Sequence, residues 1–290
     1  MKLLYENPRN RVKYRYILGG GLMIKRPKIC IPIVATNYDK LIEEVELIIG
    51  MKPDLIEWRV DQYLSSLEIE KLTLEALKLE LIKPLLYISN LLEHEGIAMI
   101  LTIRGKSEGG FVDLDDTVRM MLILWGLSQC KIQYVDLELD LYDHSEATEK
   151  DEVLSQLFKD IVNEARTKNI KVILSNHDFM KTPSFSDMIA IIKRAQSLRA
   201  DLVKIAYMPS SSEDVMSILA ACQYGSTVLN QKMIALSMGE IGRISRIIGG
   251  EFGSEVTFAR GVVASAPGQM TIEAMNRSWD TILMDEIPNL

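Results

Sequence analysis

Lys204 lies in the run Leu202-Val203-Lys204-Ile205-Ala206, with apolar residues on both sides. Burial disfavours the charged form of a lysine, and a neutral amine adds to carbonyl carbons to give imines. The same side chain can also snorkel to the strand end or pair with Glu138. The strand alone leaves both readings open. His177, in Ser175-Asn176-His177-Asp178, is the residue type that shuttles protons near neutral pH. A lone histidine is more often structural. Its place one strand before Lys204 tips the balance towards catalysis.

Arg59, Arg104 and Arg246 carry planar guanidinium forks that match a carboxylate. For Arg59 a salt bridge at the rim competes with anion binding, because Glu57 and Asp61 are near it in sequence. Glu57 and Glu108 are expected to orient the arginines or the histidine. Glu138 and Asp140 are candidates for the same task or for a structural one. Ser265-Ala266-Pro267-Gly268-Gln269 reads as a mobile loop whose serine and glutamine can hydrogen-bond a polyol. By composition alone it is equally an ordinary connecting turn. His94 and His144, in acidic, polar surroundings, read as solvated residues and are set aside.

These residues need elements to position them. From Lys28 onward, short aliphatic or β-branched runs alternate with stretches of helical periodicity. The runs are 29–34, 54–58, 97–103, 134–139, 171–175, 201–206, 233–237 and 256–259. Near-continuous apolar runs suit parallel strands buried on both faces. Eight of them, each followed by a helical stretch, predict a (β/α)8 TIM barrel. Helices are expected over 114–127 and 184–198, the second opened by a Ser184-x-x-Asp187 capping pattern. The long gap from Trp58 to Ile97 is expected to hold two helical pieces split near Lys83-Pro84, since proline disfavours helix in its predecessor.

Side chains two apart on a strand share a face. Glu57 and Arg59, Thr102 and Arg104, Asp136 and Glu138, Ser175 and His177, and Lys204 then fall on one parity of five consecutive strands. The other parity is dominated by aliphatic residues. Barrel chemistry sits at the C-terminal strand ends, and most of the charged residues lie towards those ends.

Before the barrel, Tyr14-Arg15-Tyr16-Ile17, Gly19-Gly20-Gly21 and Leu22-Met23-Ile24 favour a hairpin, although the three glycines equally suit a flexible linker. The expected division is therefore an N-terminal extension over 1–27 and a barrel over 28–290, with no second catalytic domain.

Composition narrows the function. A formal charge of −7 and a pI near 5.2 argue against a general nucleic-acid binder. Three dispersed cysteines and three scattered histidines make neither a disulfide framework nor a metal site, which fits a reducing cytoplasm. The N-terminal basic residues break any signal-peptide core, and no apolar run approaches the ~18 residues of a membrane span. A soluble protein with no metal is expected.

Several stretches occur together in an order that resembles the type I 3-dehydroquinate dehydratases. They are Glu57-Trp58-Arg59-Val60-Asp61, Thr102-Ile103-Arg104 with Glu108-Gly109-Gly110, Ser175-Asn176-His177-Asp178-Phe179, and Val203-Lys204-Ile205-Ala206-Tyr207-Met208-Pro209. Ser237-Met238-Gly239, Ile244-Ser245-Arg246 and Ser265-Ala266-Pro267-Gly268-Gln269 complete the set. The resemblance spans Lys28 to Trp279. It implies a cofactor-free hydro-lyase of the shikimate pathway, acting on the small molecule 3-dehydroquinate through an imine on Lys204 with His177 as general acid/base. Glu57, Arg59, Arg104 and Glu108 match polar residues around the substrate, and Arg246 the arginine that binds its carboxylate. Met238 matches an apolar wall, while Ser265 and Gln269 match a loop that closes over the substrate. The family's usual state implies a homodimer. Pro32 departs from members with serine there, which puts one polar contact in doubt. The N-terminal hairpin also resembles a family feature that covers the barrel bottom. Two other readings are carried: another Schiff-base barrel lyase of the aldolase or transaldolase kind, and a non-catalytic barrel that binds a keto acid.

Overall fold

The computed structural model describes residues 25–142 and 149–284. Eight parallel strands form one sheet in the order β7-β6-β5-β4-β3-β2-β1-β8. They are β1 Lys28–Ile33, β2 Leu55–Arg59, β3 Ala98–Thr102, β4 Tyr134–Glu138, β5 Lys171–Asp178, β6 Leu202–Tyr207, β7 Met233–Ser237 and β8 Val256–Phe258. The ring closes where Glu255 N–H donates to the Met233 carbonyl at 2.8 Å and Ala235 N–H to Ser254 Oγ at 3.1 Å. This is the expected (β/α)8 TIM barrel. The expected hairpin over 14–24 lies outside the described residues. Among the described residues no helix is long and apolar enough to cross a membrane.

The helices are α1 Tyr38–Gly50, α2 Val60–Leu64, α3 Leu74–Glu95, α4 Asp116–Gln129, α5 Glu149–Thr167, α6 Phe185–Ser197, α7 Ser212–Thr227, α8 Gly239–Gly242, α9 Ser245–Ile248 and α10 Ile272–Met284. Their starts follow capping chemistry. Asp115 accepts from the Thr117 and Val118 amides to open α4, and Ser184 accepts from the Asp187 amide to open α6.

The region between β2 and β3 departs from expectation. Pro84 does not split it; α3 runs unbroken for 22 residues through Pro84. Leu77, Leu81, Pro84, Leu85, Ile88 and Leu92 form one buried face. Packing of that face outweighs the single backbone bond that proline cannot donate. The break falls earlier, between Leu64 and Thr73, where α2 ends and the Thr73 hydroxyl accepts from the Ala76 amide to start α3.

The alternation along each strand separates two cores. Ile31, Ile56, Trp58, Leu101, Val135, Leu174, Val203 and Ile205 face the helix layer. Inside the barrel, Cys30, Leu55, Ile100, Tyr134, Ile173, Leu202, Ile234 and Val256 belong to a separate apolar cluster, which makes the floor. On the same parity but nearer the C-terminal strand ends come Glu57, Thr102, Asp136, Ser175 and Lys204, all buried. Each buried aliphatic side chain of the floor stabilises the fold by about 1.5–3 kcal/mol. The charged layer above it carries a desolvation penalty instead. That contrast marks the layer as one kept for chemistry.

Candidate active site

Lys204 projects from the middle of β6, in register with Ser175 on β5 and Ile234 on β7. It is 5% exposed. Its Nζ donates to Asp136 Oδ2 at 3.2 Å, lies 3.6 Å from Glu57 Oε1, and sits 4.5 Å from the centre of the Phe258 ring. It does not snorkel, and its ion pairs run to Asp136 and Glu57, not to Glu138.

His177 stands on the same face of β5, two residues beyond Ser175. Its Nδ1 is 2.7 Å from Glu108 Oε2, and the same oxygen accepts the His177 backbone N–H at 3.1 Å. Burial, reinforced by the nearby charges of Arg104 and Lys204, holds the imidazole well below its ordinary pKa. Burial likewise pushes the Glu108 carboxyl up to about 9, against the opposing pull of Arg104 and with help from Glu138. Burial thus disfavours the charged form of both partners. The 3-10 turn over Lys106–Glu108 after β3 presents Glu108, and Gly110 N–H donating to the Gly105 carbonyl at 2.8 Å closes that turn.

The arginines divide into two kinds. Arg59 pairs with Asp61 through two bonds of 2.8 and 2.7 Å and also donates to the Gly109 carbonyl at 3.3 Å. Arg104 donates to Asp136 at 2.8 Å, Glu138 at 3.2 Å and Ser175 at 2.8 Å. Its pKa is raised: burial alone would lower it, but Asp136 and Glu138 prevail. Arg246, 1% exposed, has no carboxylate partner among the described residues. Its three nitrogens donate to main-chain carbonyls: Nε to Gly268 at 3.1 Å, Nη1 to Phe258 at 3.2 Å and Nη2 to Pro267 at 3.1 Å. Burial, then the neighbouring Arg243, lowers its pKa to about 10. It is still a cation at neutral pH, and its charge is uncompensated.

The segment after β8 is docked onto these groups. Ser265 N–H donates to Gln269 Oε1 at 2.8 Å, and Gln269 Nε2 donates to Ser265 Oγ at 2.9 Å. Gly239 N–H donates to the Pro267 carbonyl. Gly268 has φ +76°, and a Cβ there would lie 2.1 Å from the Gly239 carbonyl oxygen. Only glycine combines that backbone with that approach.

One small cleft joins these groups. Glu57, Arg59, Arg104, Glu108, His177, Lys204, Met238, Arg246, Ser265 and Gln269 all line it. The ten residues expected to act on or bind the substrate thus line one cleft, while Glu138 and Asp140, the two further candidate acids, do not. His94 is exposed at the end of α3, and His144 lies outside the described residues. Pro32 is buried in β1, in register with Glu57.

Some residues went unassigned in the sequence. Asp136 and Ser175 lay on the inward parity, yet Asp136 now contacts both Lys204 and Arg104. Phe258 follows Val256 by two on β8, so parity would have placed it inside. Arg119 was hidden in α4, although its position beside Met120, Leu122 and Ile123 puts a charge on the core-facing side. It donates to Glu138 at 2.9 Å and to the Ile103 carbonyl at 3.0 Å. Among the described residues, no group of three or more His, Cys, Asp and Glu side chains is disposed to hold a metal ion.

The geometry agrees with the comparisons. Residues 29–285 match the family model described as type I 3-dehydroquinase. A 3-dehydroquinate dehydratase of Alkaliphilus oremlandii is 35% identical over 259 residues, 88% of this chain and 90% of its own length. The crystal structure of the Geobacillus kaustophilus enzyme superposes with a TM-score of 0.76 at 29% identity, covering 92% of this chain and 98% of the other. The type I enzyme of Clostridium difficile, crystallised with covalently modified comenic acid, gives a TM-score of 0.73 at 30% identity, with 91% and 98% covered. The chain belongs to the type I 3-dehydroquinase family.

Proposed function

We propose that this protein is a 3-dehydroquinate dehydratase, a hydro-lyase of the shikimate pathway that converts 3-dehydroquinate to 3-dehydroshikimate through an imine on Lys204. The single observation that carries the mechanism is a buried lysine in the same cleft as a histidine held by Glu108 and an arginine with no carboxylate partner among the described residues.

Lys204 Nζ, after giving up a proton, adds to the ring ketone, and loss of water gives a protonated imine. This cation withdraws electrons from the neighbouring carbon. His177, with Nδ1 engaged by Glu108, offers Nε2 to remove the proton there. The enamine then expels the β-hydroxyl, which leaves as water after taking the proton from His177. Hydrolysis of the remaining imine frees the conjugated enone and restores the amine. Arg246 holds the substrate carboxylate. Ser265 and Gln269 exchange their mutual hydrogen bonds for hydroxyls of the ring, and Met238 supplies an apolar wall. Glu57 contacts the polar ring edge and Lys204. Arg59 and Arg104 fix the acids and carbonyls around the site, so their part is to shape it. No organic cofactor or metal is needed for these steps.

The test is an ultraviolet assay for the enone from 3-dehydroquinate, repeated with Lys204→Ala. No absorbance from the parent protein would refute the activity; full activity in the variant would refute the imine. We further propose an N-terminal extension over 1–27 preceding the barrel, a cytoplasmic location and a homodimer, the commonest closed assembly. Light scattering giving the mass of one chain would exclude the dimer.

A further inference from the structure

Six charged or polar side chains converge inside the barrel, from β2 to β6 and the turn after β3. Asp136 on β4 is 3% exposed. One of its oxygens, Oδ1, accepts from Arg104 Nη2 at 2.8 Å and from Ser175 Oγ at 2.6 Å. The other, Oδ2, is left for Lys204 Nζ at 3.2 Å. Glu57 also approaches Nζ, at 3.6 Å, but the same oxygen accepts from Thr102 Oγ1 at 3.0 Å. Asp136 is therefore the nearer acid and the one whose second oxygen is reserved for the lysine. Burying such a cluster costs more than an apolar core of similar volume, so its persistence asks for a task.

We infer that Asp136 is the counter-ion of the lysine nitrogen throughout the reaction, holding the ammonium before condensation and the protonated imine after it. The inference rests on the Schiff-base reading above. The charge count supports it. An ammonium and a ketone give a protonated imine and water, so the nitrogen begins and ends this stage with one positive charge. Two protons pass from nitrogen to the departing carbonyl oxygen, a carbon–nitrogen double bond replaces a carbon–oxygen double bond, and nothing is oxidised or reduced. The imine nitrogen keeps one N–H, enough for the single bond to Oδ2.

When His177 takes the neighbouring proton, the enamine nitrogen becomes neutral. Arg104 and Ser175 then keep the carboxylate from standing alone. Consistent with this, the Asp136 carboxyl is held well below the usual range: burial raises it, but the charges of Arg104 and Lys204 outweigh burial.

The experiment is borohydride trapping with 3-dehydroquinate, quantified on Lys204 by mass spectrometry alongside kcat and KM. Asp136→Asn keeps the shape and removes the charge. The trapped fraction and kcat should fall by roughly two orders of magnitude, while KM changes far less. Ser175→Ala, which removes only a support of Oδ1, should lower both by roughly threefold to tenfold, and it decides the matter if Asp136→Asn does not fold. Parent-level trapping in a folded Asp136→Asn protein, or in Ser175→Ala where that is the deciding variant, overturns the inference. Equal losses in kcat and substrate binding with trapping intact overturn it too. Failure of the parent protein to trap any adduct would instead overturn the proposed imine mechanism.

Discussion

Glu108 Oε2 grips His177 at two points, the ring Nδ1 at 2.7 Å and the backbone N–H at 3.1 Å. Because that oxygen already accepts the backbone proton, its favourable partner at Nδ1 is an N–H. The ring is thereby set with Nε2 as the basic nitrogen.

This pairing predicts the pH dependence. The imidazole is depressed well below its ordinary pKa, so its neutral, basic form persists as pH falls, and the acid limb of kcat/KM attributable to it should lie below about 6.5. Glu108, raised to about 9, is neutral below that value and anionic above it. Ionisation would place a negative charge against the imidazole and make its conjugate acid a weaker proton donor to the leaving hydroxyl, so activity should decline as pH rises through about 9. The two groups titrate as a pair. Glu108→Gln, which keeps an acceptor and a donor without the charge, should remove that alkaline limb. A profile unchanged by the substitution would detach Glu108 from the histidine.

Proton transfer can be separated from imine formation. His177→Ala leaves the amine intact, so borohydride should still trap an adduct while turnover falls about 10²–10⁴-fold. Single-turnover kinetics with mass spectrometry check both. Turnover within a small factor of the parent would make His177 structural.

Glu138 serves the fold of the site. It accepts from the Gly105 amide at 2.7 Å, from Arg104 at 3.2 Å and from Arg119 at 2.9 Å, tying α4 and the turn bearing Glu108 to β4. Glu138→Ala removes a buried carboxylate shared by Arg104 and Arg119, which keep only Asp136, Glu108 and Asp116, and breaking a buried pair typically costs up to about 3–5 kcal/mol. Urea unfolding measures it. A cost below about 1 kcal/mol would mean that water replaces the lost contacts.

The barrel and its inward charges were legible because a parallel strand buried on both faces shows two separate patterns. One parity must be aliphatic to meet helices, so charges on the other stand out. Parity does not rank those charges. Asp136 and Glu138 look alike in Tyr134-Val135-Asp136-Leu137-Glu138, and only the barrel's curvature brings the first to Lys204 and the second to Arg119. Pro84 misled for a different reason: its local preference is real, but the buried face of α3 decides. Likewise, Ser265 to Gln269 reads as a turn until Gly268 is seen against Gly239.

That contact predicts how the loop works. Gly268→Ala introduces a side chain at φ +76° and within 2.1 Å of the Gly239 carbonyl oxygen. The loop cannot dock as it stands, and the Pro267 and Gly268 carbonyls leave Arg246. The result should be a drop in kcat/KM of roughly tenfold or more, about 1.4 kcal/mol, with little change in global stability. Steady-state kinetics with thermal unfolding check it. Parent-level kinetics would show that the observed docking is dispensable.

Arg246 gives the sharpest test of substrate class. It is buried, cationic and held by three carbonyls, with no carboxylate partner among the described residues. Carbonyl dipoles orient a guanidinium without cancelling its charge, so the site stays attractive to an anion. Lysine at this position keeps the charge but loses the fork and most of the carbonyl bonds, so substrate binding should weaken. Alanine should be worse, since the substrate carboxylate would enter a partly desolvated pocket without its cation. Losing one charge-assisted hydrogen bond costs about 1.5–3 kcal/mol, or roughly tenfold to two-hundredfold in affinity. Because Arg246 also anchors the loop through Pro267 and Gly268, kcat should fall along with affinity. The measurement is steady-state kinetics of parent, Arg246→Lys and Arg246→Ala with 3-dehydroquinate, after circular dichroism shows that both variants fold. If folded Arg246→Ala keeps the parent kinetics, the carboxylate is held elsewhere. Arg59 and Arg104, already committed to acids, would then have to exchange partners when substrate binds.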